Sequence, residues 1–260
     1  MKIIHLSDTH ILDRYDQQLH GLKPAVRLER AIESINRFHK DAKFIAITGD
    51  LVNSSSRDSY LLFRDIIDKS ELKVYPILGN HDNKEEFLSV FPSYDNDNFV
   101  QYDIKIENRV FLFLDTLVEG YCYGDLSDEK LSWLELKLKQ HKQYPIYIFM
   151  HHHPIESGLY EMDNRAYLHS KDQFWNIVQK YPSIKHISFG HIHRVMHAVR
   201  GKISMHSTKS TAFQVAYDMG DKHEYIADKE MPSYAIIDIL DDDIRIHHHE
   251  YLTENYISEY

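Results

Sequence analysis

The chain has 260 residues and 43% hydrophobic composition, enough for a sizeable core, which excludes a disordered polypeptide. Its formal charge of -10 argues against broad binding to DNA or RNA and against a polybasic membrane anchor, both of which need clustered Lys and Arg. One cysteine, Cys122, excludes an internal disulfide, and no apolar run reaches the ~18 residues that would span a bilayer.

From the N-terminus, Met1-Lys2-Ile3-Ile4-His5 brings polar residues at once and has no apolar signal core, so a cytoplasmic protein in a reducing compartment is expected. Residues 2–7 read as a strand whose exit is Asp8-Thr9-His10, and a polar loop, 13–24, carries His20-Gly21. Residues 25–40 have helical spacing, with Leu28, Ile32, Ile35 and Phe38 near one face. A strand at 43–48 ends in Gly49-Asp50, and a helix at 58–69 turns Leu61, Leu62, Ile66 and Ile67 inward. A third strand, 73–78, leads into Gly79-Asn80-His81-Asp82. There the glycine is expected to supply a backbone conformation closed to other residues. A short helix near 84–90 follows. This alternation of strand and helix predicts a parallel sheet with crossovers.

After Pro92 the pattern changes. Tyr102, Ile104 and Ile106 alternate with polar residues, Glu107-Asn108-Arg109 reads as a hairpin turn, and Val110 to Leu114 is a buried strand. Ser127 suits the N-cap of a helix whose buried stripe is Leu131, Leu134 and Leu138. A strand at 145–150 delivers His151-His152-His153, and a long loop runs from Pro154 to His169. A helix at 171–181 and a strand at 184–189 deliver His191 and His193. Five more strands follow, at 195–199, 202–206, 211–216, 234–240 and 243–249, while 218–232 and the tail after 250 are expected to be least ordered. The sum is one domain over 1–260, a sandwich of two mixed β-sheets with helices outside. Its β-rich 200–260 portion points to a cap or a dimer arm, and so to a homo-oligomer.

Five predicted strand ends present Asp8, His10, Asp50, Asn80, His151, His191 and His193 at the carboxyl edge of a sheet, where open α/β folds keep their sites. Each motif alone is an ordinary turn; together and in this order they predict a pair of metal ions. Attack on a phosphate ester needs an oxygen nucleophile at neutral pH and cover for developing charge. Two ions about 3.5–4 Å apart supply both. Ions that close need a bridging carboxylate, assigned to Asp50. Nitrogen and oxygen ligands without thiolate fit divalent or mixed-valence Fe, Mn, Co or Zn better than Ca.

The order Asp-x-His, Gly-Asp, Gly-Asn-His-Asp, His-His and Gly-His-x-His resembles the calcineurin-like metallophosphoesterase superfamily. Within it the chain is similar to the class III cyclic-nucleotide phosphodiesterases and their glycerophosphodiesterase relatives. Leu19-His20-Gly21, Asp50-Leu51-Val52-Asn53, Leu131-Ser132-Trp133-Leu134-Glu135 and Tyr181-Pro182-Ser183-Ile184 extend the likeness. The resemblance implies a four-layer α-β-β-α sandwich and a hydrolase that cleaves small phosphodiesters by attack of a metal-bound hydroxide. It further implies that Asp8, His10 and His193 hold one ion, that Asn80, His151 and His191 hold the other, and that Asp50 bridges them. His81, Asn80 and Asp82 are the implied catalytic residues, with Asp82 orienting His81; His81, Asn80 and His20 are the implied substrate contacts. No nucleic acid and no membrane partner is expected. A monoesterase or nuclease on the same scaffold, and an inactive binding module, are the competing readings.

Two departures stand out. His153 occupies a place where relatives often carry Pro, and Lys209 stands where they tend to have Pro, with His206 offered as a substitute for a missing supporting histidine. Ile246-His247-His248-His249-Glu250 is expected to be a solvated strand, and Asp241-Asp242-Asp243 a turn. Lys209 is read as solvated, and Tyr160 and Met162 either as lining the pocket or as simple loop packing.

Overall fold

The computed structural model describes residues 1–95, 99–217, 225–241 and 243–252. Parts of the stretches expected to be least ordered, 218–224 and 253–260, lie outside the described residues, as does Asp242. In chain order the elements are β1 (Lys2–Leu6), α1 (Pro24–Phe38), β2 (Ile45–Thr48), α2 (Arg57–Ile67), β3 (Val74–Ile77), α3 (Lys84–Val90), β4 (Tyr102–Ile106), β5 (Arg109–Phe113), α4 (Asp128–Gln140), β6 (Ile146–Met150), α5 (Tyr160–Arg165), α6 (Lys171–Val178), β7 (Ile184–Phe189), β8 (Met196–Arg200), β9 (Ile203–Ser207), β10 (Gln214–Val215), β11 (Ala227–Asp228), β12 (Ser233–Ile239) and β13 (Ile244–Glu250).

Two mixed sheets result. The first has the order β13-β12-β1-β2-β3, with β1, β2 and β3 parallel and the two C-terminal strands antiparallel. The second has the order β4-β5-β6-β7-β9-β8, with a parallel centre and antiparallel strands at both edges. The β-rich C-terminal portion is divided between them: β8 and β9 extend the second sheet, β12 and β13 the first.

Strand alternation explains the layers. In β1, Ile4 and Leu6 face α1 and α2, where they meet Leu28, Ile32, Ile35, Tyr60 and Phe63. Ile3 faces the other way, into a layer shared with Phe44, Phe111, Phe113 and Phe149 between the sheets. On the far side, Leu131, Leu134 and Leu138 of α4 and Phe174 and Trp175 of α6 cover the second sheet. The order helix, sheet, sheet, helix is the expected four-layer α/β sandwich. Ser127 caps α4 by accepting from Lys130 N, as predicted.

Some expectations change in detail. Phe38 is 44% exposed, and Ala31 takes its place on the buried face of α1. Tyr60 and Phe63 carry the inner face of α2, leaving Leu61 and Leu62 half-buried. The loop after Pro154 contains α5, and the strand expected at 211–216 shrinks to β10, paired with β11.

One row of the inter-sheet layer is polar. His5 of β1 bonds Thr48 Oγ1 through Nε2 (2.8 Å) and His206 Nε2 through Nδ1 (3.0 Å). His206 Nδ1 lies 2.6 Å from His186 Nε2, and His186 Nδ1 lies 2.7 Å from Ser204 Oγ. His248, expected in solvent, is half-buried instead, because its ring packs edge-on against His197 and His206.

Burial, helped by the neighbouring imidazoles, lowers His5 and His186 from the ordinary 6.5 to about 3, and His248 to about 4. The folded state keeps them neutral while an unfolded chain protonates them near 6.5, so stability is full above that pH and lost below it. Chelator-treated protein is therefore expected to lose melting temperature steadily from pH 6.5 towards 4, with proton uptake on unfolding. A melting temperature that is flat across that window would contradict buried neutral histidines.

Candidate metal centre

All seven residues predicted as ligands meet at the carboxyl ends of the two sheets. The first sheet delivers Asp8 and His10 after β1, Asp50 after β2 and Asn80 after β3; the second delivers His151 after β6 and His191 and His193 after β7. All are buried except Asn80, which is half-buried. The backbone is bent hard to aim them. Asp8, His10, Asp50, His191 and His193 have φ of 54°, 45°, 47°, 69° and 52°, left-handed values that cost non-glycine residues roughly 1–3 kcal/mol each.

Close backbone approach makes this possible. Asp8 N donates to Gly49 O (3.1 Å) and His10 N to Asp50 O (2.9 Å), stitching the first two exits together. His191 N donates to both oxygens of Asp8 (3.1 and 3.2 Å), stitching the second sheet to the first. A Cβ at Gly190 would collide with Ser7 Oγ and crowd Asp8 Oδ2 at 2.9 Å. A Cβ at Gly79 would collide with Asp50 N and Oδ1. Gly79 does not have the positive φ expected from the sequence; the space it leaves for Asp50 is the reason for it.

The side-chain geometry is that of a cation site. His193 Nδ1 donates to Phe213 O (2.7 Å), His10 Nδ1 to Asn53 Oδ1 (3.2 Å) and His151 Nδ1 to Thr48 O (2.7 Å). In the neutral ring each Nε2 is therefore a bare lone pair; against burial, the Asp8 carboxylate beside His193 raises that ring above its ordinary value. Yet His10 Nε2 and His193 Nε2 face each other at 3.2 Å, with Asp8 Oδ1 3.3 Å from one and Asp50 Oδ2 3.6 Å from the other. His151 Nε2 likewise faces Asn80 Oδ1 (3.0 Å) and Asp50 Oδ1 (3.5 Å), with His191 Nδ1 3.1 Å away. Acceptors aimed at acceptors in a buried space repel unless positive charge lies between them.

Two groups have ligand atoms within 4.8 Å of one another: Asp8, His10, Asp50 and His193; and His151, His152 and His191. The two oxygens of Asp50 point one to each group. Burial alone would raise the Asp8 carboxyl, but His193, by charge and hydrogen bond, holds it below the carboxylate range. Burial holds His10 at about 3 and His191 well below its ordinary value, so both rings are neutral.

A cavity of about 320 Å³ opens over these groups. His81 is exposed in its wall, its ring centroid 4.8 Å from that of His10, and its N–H donates to Asp50 Oδ1 (2.8 Å). His20 also reaches the wall, edge-on to Phe213. Asp82 does not reach His81. Its carboxylate accepts from Gly79 N (2.8 Å), Leu51 N (3.1 Å), Val52 N (3.3 Å) and the Tyr60 hydroxyl (3.0 Å). It clamps the turn that presents Asn80 and His81, and burial, with the charge of Asp50, pushes it up to about 7.

The neighbouring histidines divide the work. His152 Nδ1 bonds Thr116 Oγ1 (2.8 Å), and His153 turns its Nε2 towards Asp163 (3.3 Å). Sequence reading missed Asn53, the partner of His10, and the pocket wall made by Cys122, Tyr225 and by Glu161, Arg165 and Ala166 on or beside α5. Met162 joins that wall; Tyr160 is exposed outside it. The only signal for α5 was Asp163, which accepts from Ser157 N, Ser157 Oγ and Gly158 N and so folds the loop upon itself. Lys209, expected in solvent, is held between Glu230 and Glu250 at 3.2 Å each.

Residues 1–195 match the family model described as calcineurin-like phosphoesterase. The chain is 32% identical over 252 residues to a probable cyclic nucleotide phosphodiesterase of Rhodopseudomonas palustris, covering 95% of this chain and 91% of that protein. It is 28% identical over 222 residues to a probable glycerophosphodiester phosphodiesterase of Arcobacter nitrofigilis (84% and 81% covered). It is 30% identical over 214 residues to the 3',5'-cyclic adenosine monophosphate phosphodiesterase of Vibrio vulnificus (82% and 77%). The fold is similar to that of a dimetal phosphatase from Danio rerio, with TM-score 0.73, 15% identity and 96% of both chains covered.

Gly190→Ala is expected to destabilise the fold by about 1–3 kcal/mol through overpacking at the sheet–sheet seam. Denaturant unfolding checks this, and an unchanged midpoint would show that the close approach is not required.

Proposed function

Because the chain belongs to the calcineurin-like phosphoesterase family, we propose that it is a metal-dependent hydrolase of small phosphodiesters, 3',5'-cyclic nucleotides or glycerophosphodiesters. Asp8, His10 and His193 would hold one ion, Asn80, His151 and His191 the other, and Asp50 both. The crowding of ring nitrogens against the oxygens of Asp8, Asp50 and Asn80 across 3.0–3.6 Å carries this reading, since positive charge placed among them relieves it. The donor set has nitrogen and oxygen and no thiolate, which suits Mn, Fe, Co or Zn. When bound, such a pair supplies Lewis acidity and an acidified water.

The chain's own residues do the rest. Two divalent ions less the charges of Asp8 and Asp50 leave about +2 in the pocket, enough to draw a singly charged diester into a protein of net charge -10. His81, exposed beside His10, reaches the phosphoryl group and offers a ring nitrogen to hydrogen-bond an equatorial oxygen or pass a proton to the leaving oxygen. The Asn80 amide nitrogen is left to donate to phosphate while its oxygen faces His151. Met162, Ala166, Phe213 and Tyr225 give apolar surface to the organic arms of the substrate and exclude water. That surface favours diesters, with two organic arms, over monoesters with one. His20 contributes a ring edge to the same wall.

With Mn²⁺ supplied, cleavage of bis-p-nitrophenyl phosphate is expected to outrun that of p-nitrophenyl phosphate; faster monoester cleavage would overturn the diester reading. Asp50→Ala is expected to lose bound metal and more than about 100-fold in turnover, because it removes a ligand shared by both ions. His247→Ala, on an exposed strand position, is expected to lose neither. Normal turnover in the Asp50 variant would end the assignment. A panel of cyclic AMP, glycerophosphocholine and glycerophosphoethanolamine then identifies the preferred diester.

A further inference from the structure

We propose that the buried chain Thr48–His5–His206–His186–Ser204 is a crossbar that holds the two halves of the metal centre in register, with His206 as its central positioning residue. The proposal rests on the dimetal reading above. The ligands come from two separate sheets, and most of the layer between the sheets is apolar. Apolar contact is non-directional and does not by itself fix how one sheet slides over the other. The hydrogen-bonded histidine row supplies direction within that layer, beneath the exit bonds of His191 N to Asp8 and His151 Nδ1 to Thr48 O. It begins on β1 and β2, whose exits carry Asp8 and Asp50, and ends on β9 and β7, whose latter exit carries His191 and His193.

The row also terminates on a ligand's own partner. Thr48 O accepts from His151 Nδ1 (2.7 Å) and from Ser7 Oγ (3.0 Å), and Thr48 Oγ1 donates to Ser7 Oγ (2.8 Å). With that hydroxyl proton committed, Thr48 Oγ1 receives from His5 Nε2–H. His5 Nδ1 then accepts from His206 Nε2–H, His206 Nδ1 from His186 Nε2–H, and His186 Nδ1 from the Ser204 hydroxyl, which lies nearer to that nitrogen (2.7 Å) than to its other acceptor, Lys185 O (3.3 Å). Each imidazole donates once and accepts once. A chain of this kind is satisfied only as a whole. Replacing His206 by an apolar ring leaves His5 Nδ1 in one sheet and His186 Nε2–H in the other without a partner, and the polar join between the half-sites is reduced to the strand exits, where His191 N meets Asp8 and His151 Nδ1 meets Thr48 O.

The experiment titrates Mn²⁺ into metal-free protein by calorimetry, follows spin coupling of the ion pair by electron paramagnetic resonance, and measures bis-p-nitrophenyl phosphate turnover. In His206→Phe, affinity for one of the two ions is expected to fall about 10–100-fold, the range for loss of a ligand's supporting partner, with loss of the spin-coupled signal. Turnover is expected to fall with it while KM stays near the wild-type value. His206→Gln keeps one donor and one acceptor and is expected to recover most of the affinity, which a role in volume alone would not produce. The proposal is overturned if the folded His206→Phe protein takes up two coupled ions with wild-type affinity, or if the glutamine variant is as impaired as the phenylalanine one. Should His206→Phe not fold, Ser204→Ala at the outer end is expected to weaken the same ion, and unchanged binding there overturns the proposal equally. A wild-type protein that takes up fewer than two ions would instead overturn the dimetal reading itself.

Discussion

Lone pairs that point at lone pairs govern this protein. His10 and His193 each commit one ring nitrogen to a neighbouring oxygen and turn the other, bare, towards its counterpart 3.2 Å away, with Asp8 and Asp50 pressed alongside. With both rings neutral, no arrangement of their protons satisfies all of them, because both Nδ1 hydrogens are spent elsewhere; against burial, Asp8 answers by raising His193 above its ordinary value. Burial makes the conflict sharper, since solvent cannot screen it. The left-handed backbone at five of the seven ligand positions adds strain to this repulsion. A fold that tolerates both must hold them in place with energy from elsewhere, and the ions relieve what the fold imposes.

That energy comes from three apolar layers. The helices α1 and α2 on one sheet, and α4 and α6 on the other, cover the outer faces, and an aromatic-rich layer joins the sheets. The layers are rigid enough to keep strand exits where the chemistry needs them, but the last few ångströms are set by polar and steric detail. Asp82 receives three backbone N–H groups and a tyrosine hydroxyl and so fixes the turn that carries Asn80 and His81. Gly79 and Gly190 let backbone approach Asp50 and Asp8 more closely than any side chain would allow. A carboxylate adjacent to a candidate catalytic histidine in sequence thus acts on the loop and not on the ring.

The pocket above the ligands is asymmetric in character. Its floor is charged, and its wall combines the apolar surface of Met162, Ala166, Phe213 and Tyr225 with Glu161 and Arg165 of α5. The acidic chain as a whole would repel a phosphate, so attraction has to be local, from the proposed ions on the floor and from Arg165 in the wall. His81 stands at the border between floor and wall, a position that suits its proposed role towards the phosphoryl group and the departing alcohol.

Much of this was legible in the sequence by itself. Alternating strand and helix periodicity determined the two mixed sheets with helices outside, because periods of two and 3.6 are local properties of a chain. The seven residues that converge were legible for a related reason: each sits at or just after the end of an apolar run, and a strand's end is where the chain must turn. Only the tertiary structure decided what depends on neighbours distant in sequence. Asp82 was misread because its partners, Leu51, Val52 and Tyr60, lie 22 to 31 residues away. His248 was assigned to solvent because an alternating edge strand looks exposed until β8 and β9 pack against it. The hydrogen-bonded histidines at 5, 186 and 206 carried no pattern at all, since they span β1, β7 and β9 and become neighbours only when the two sheets close on each other.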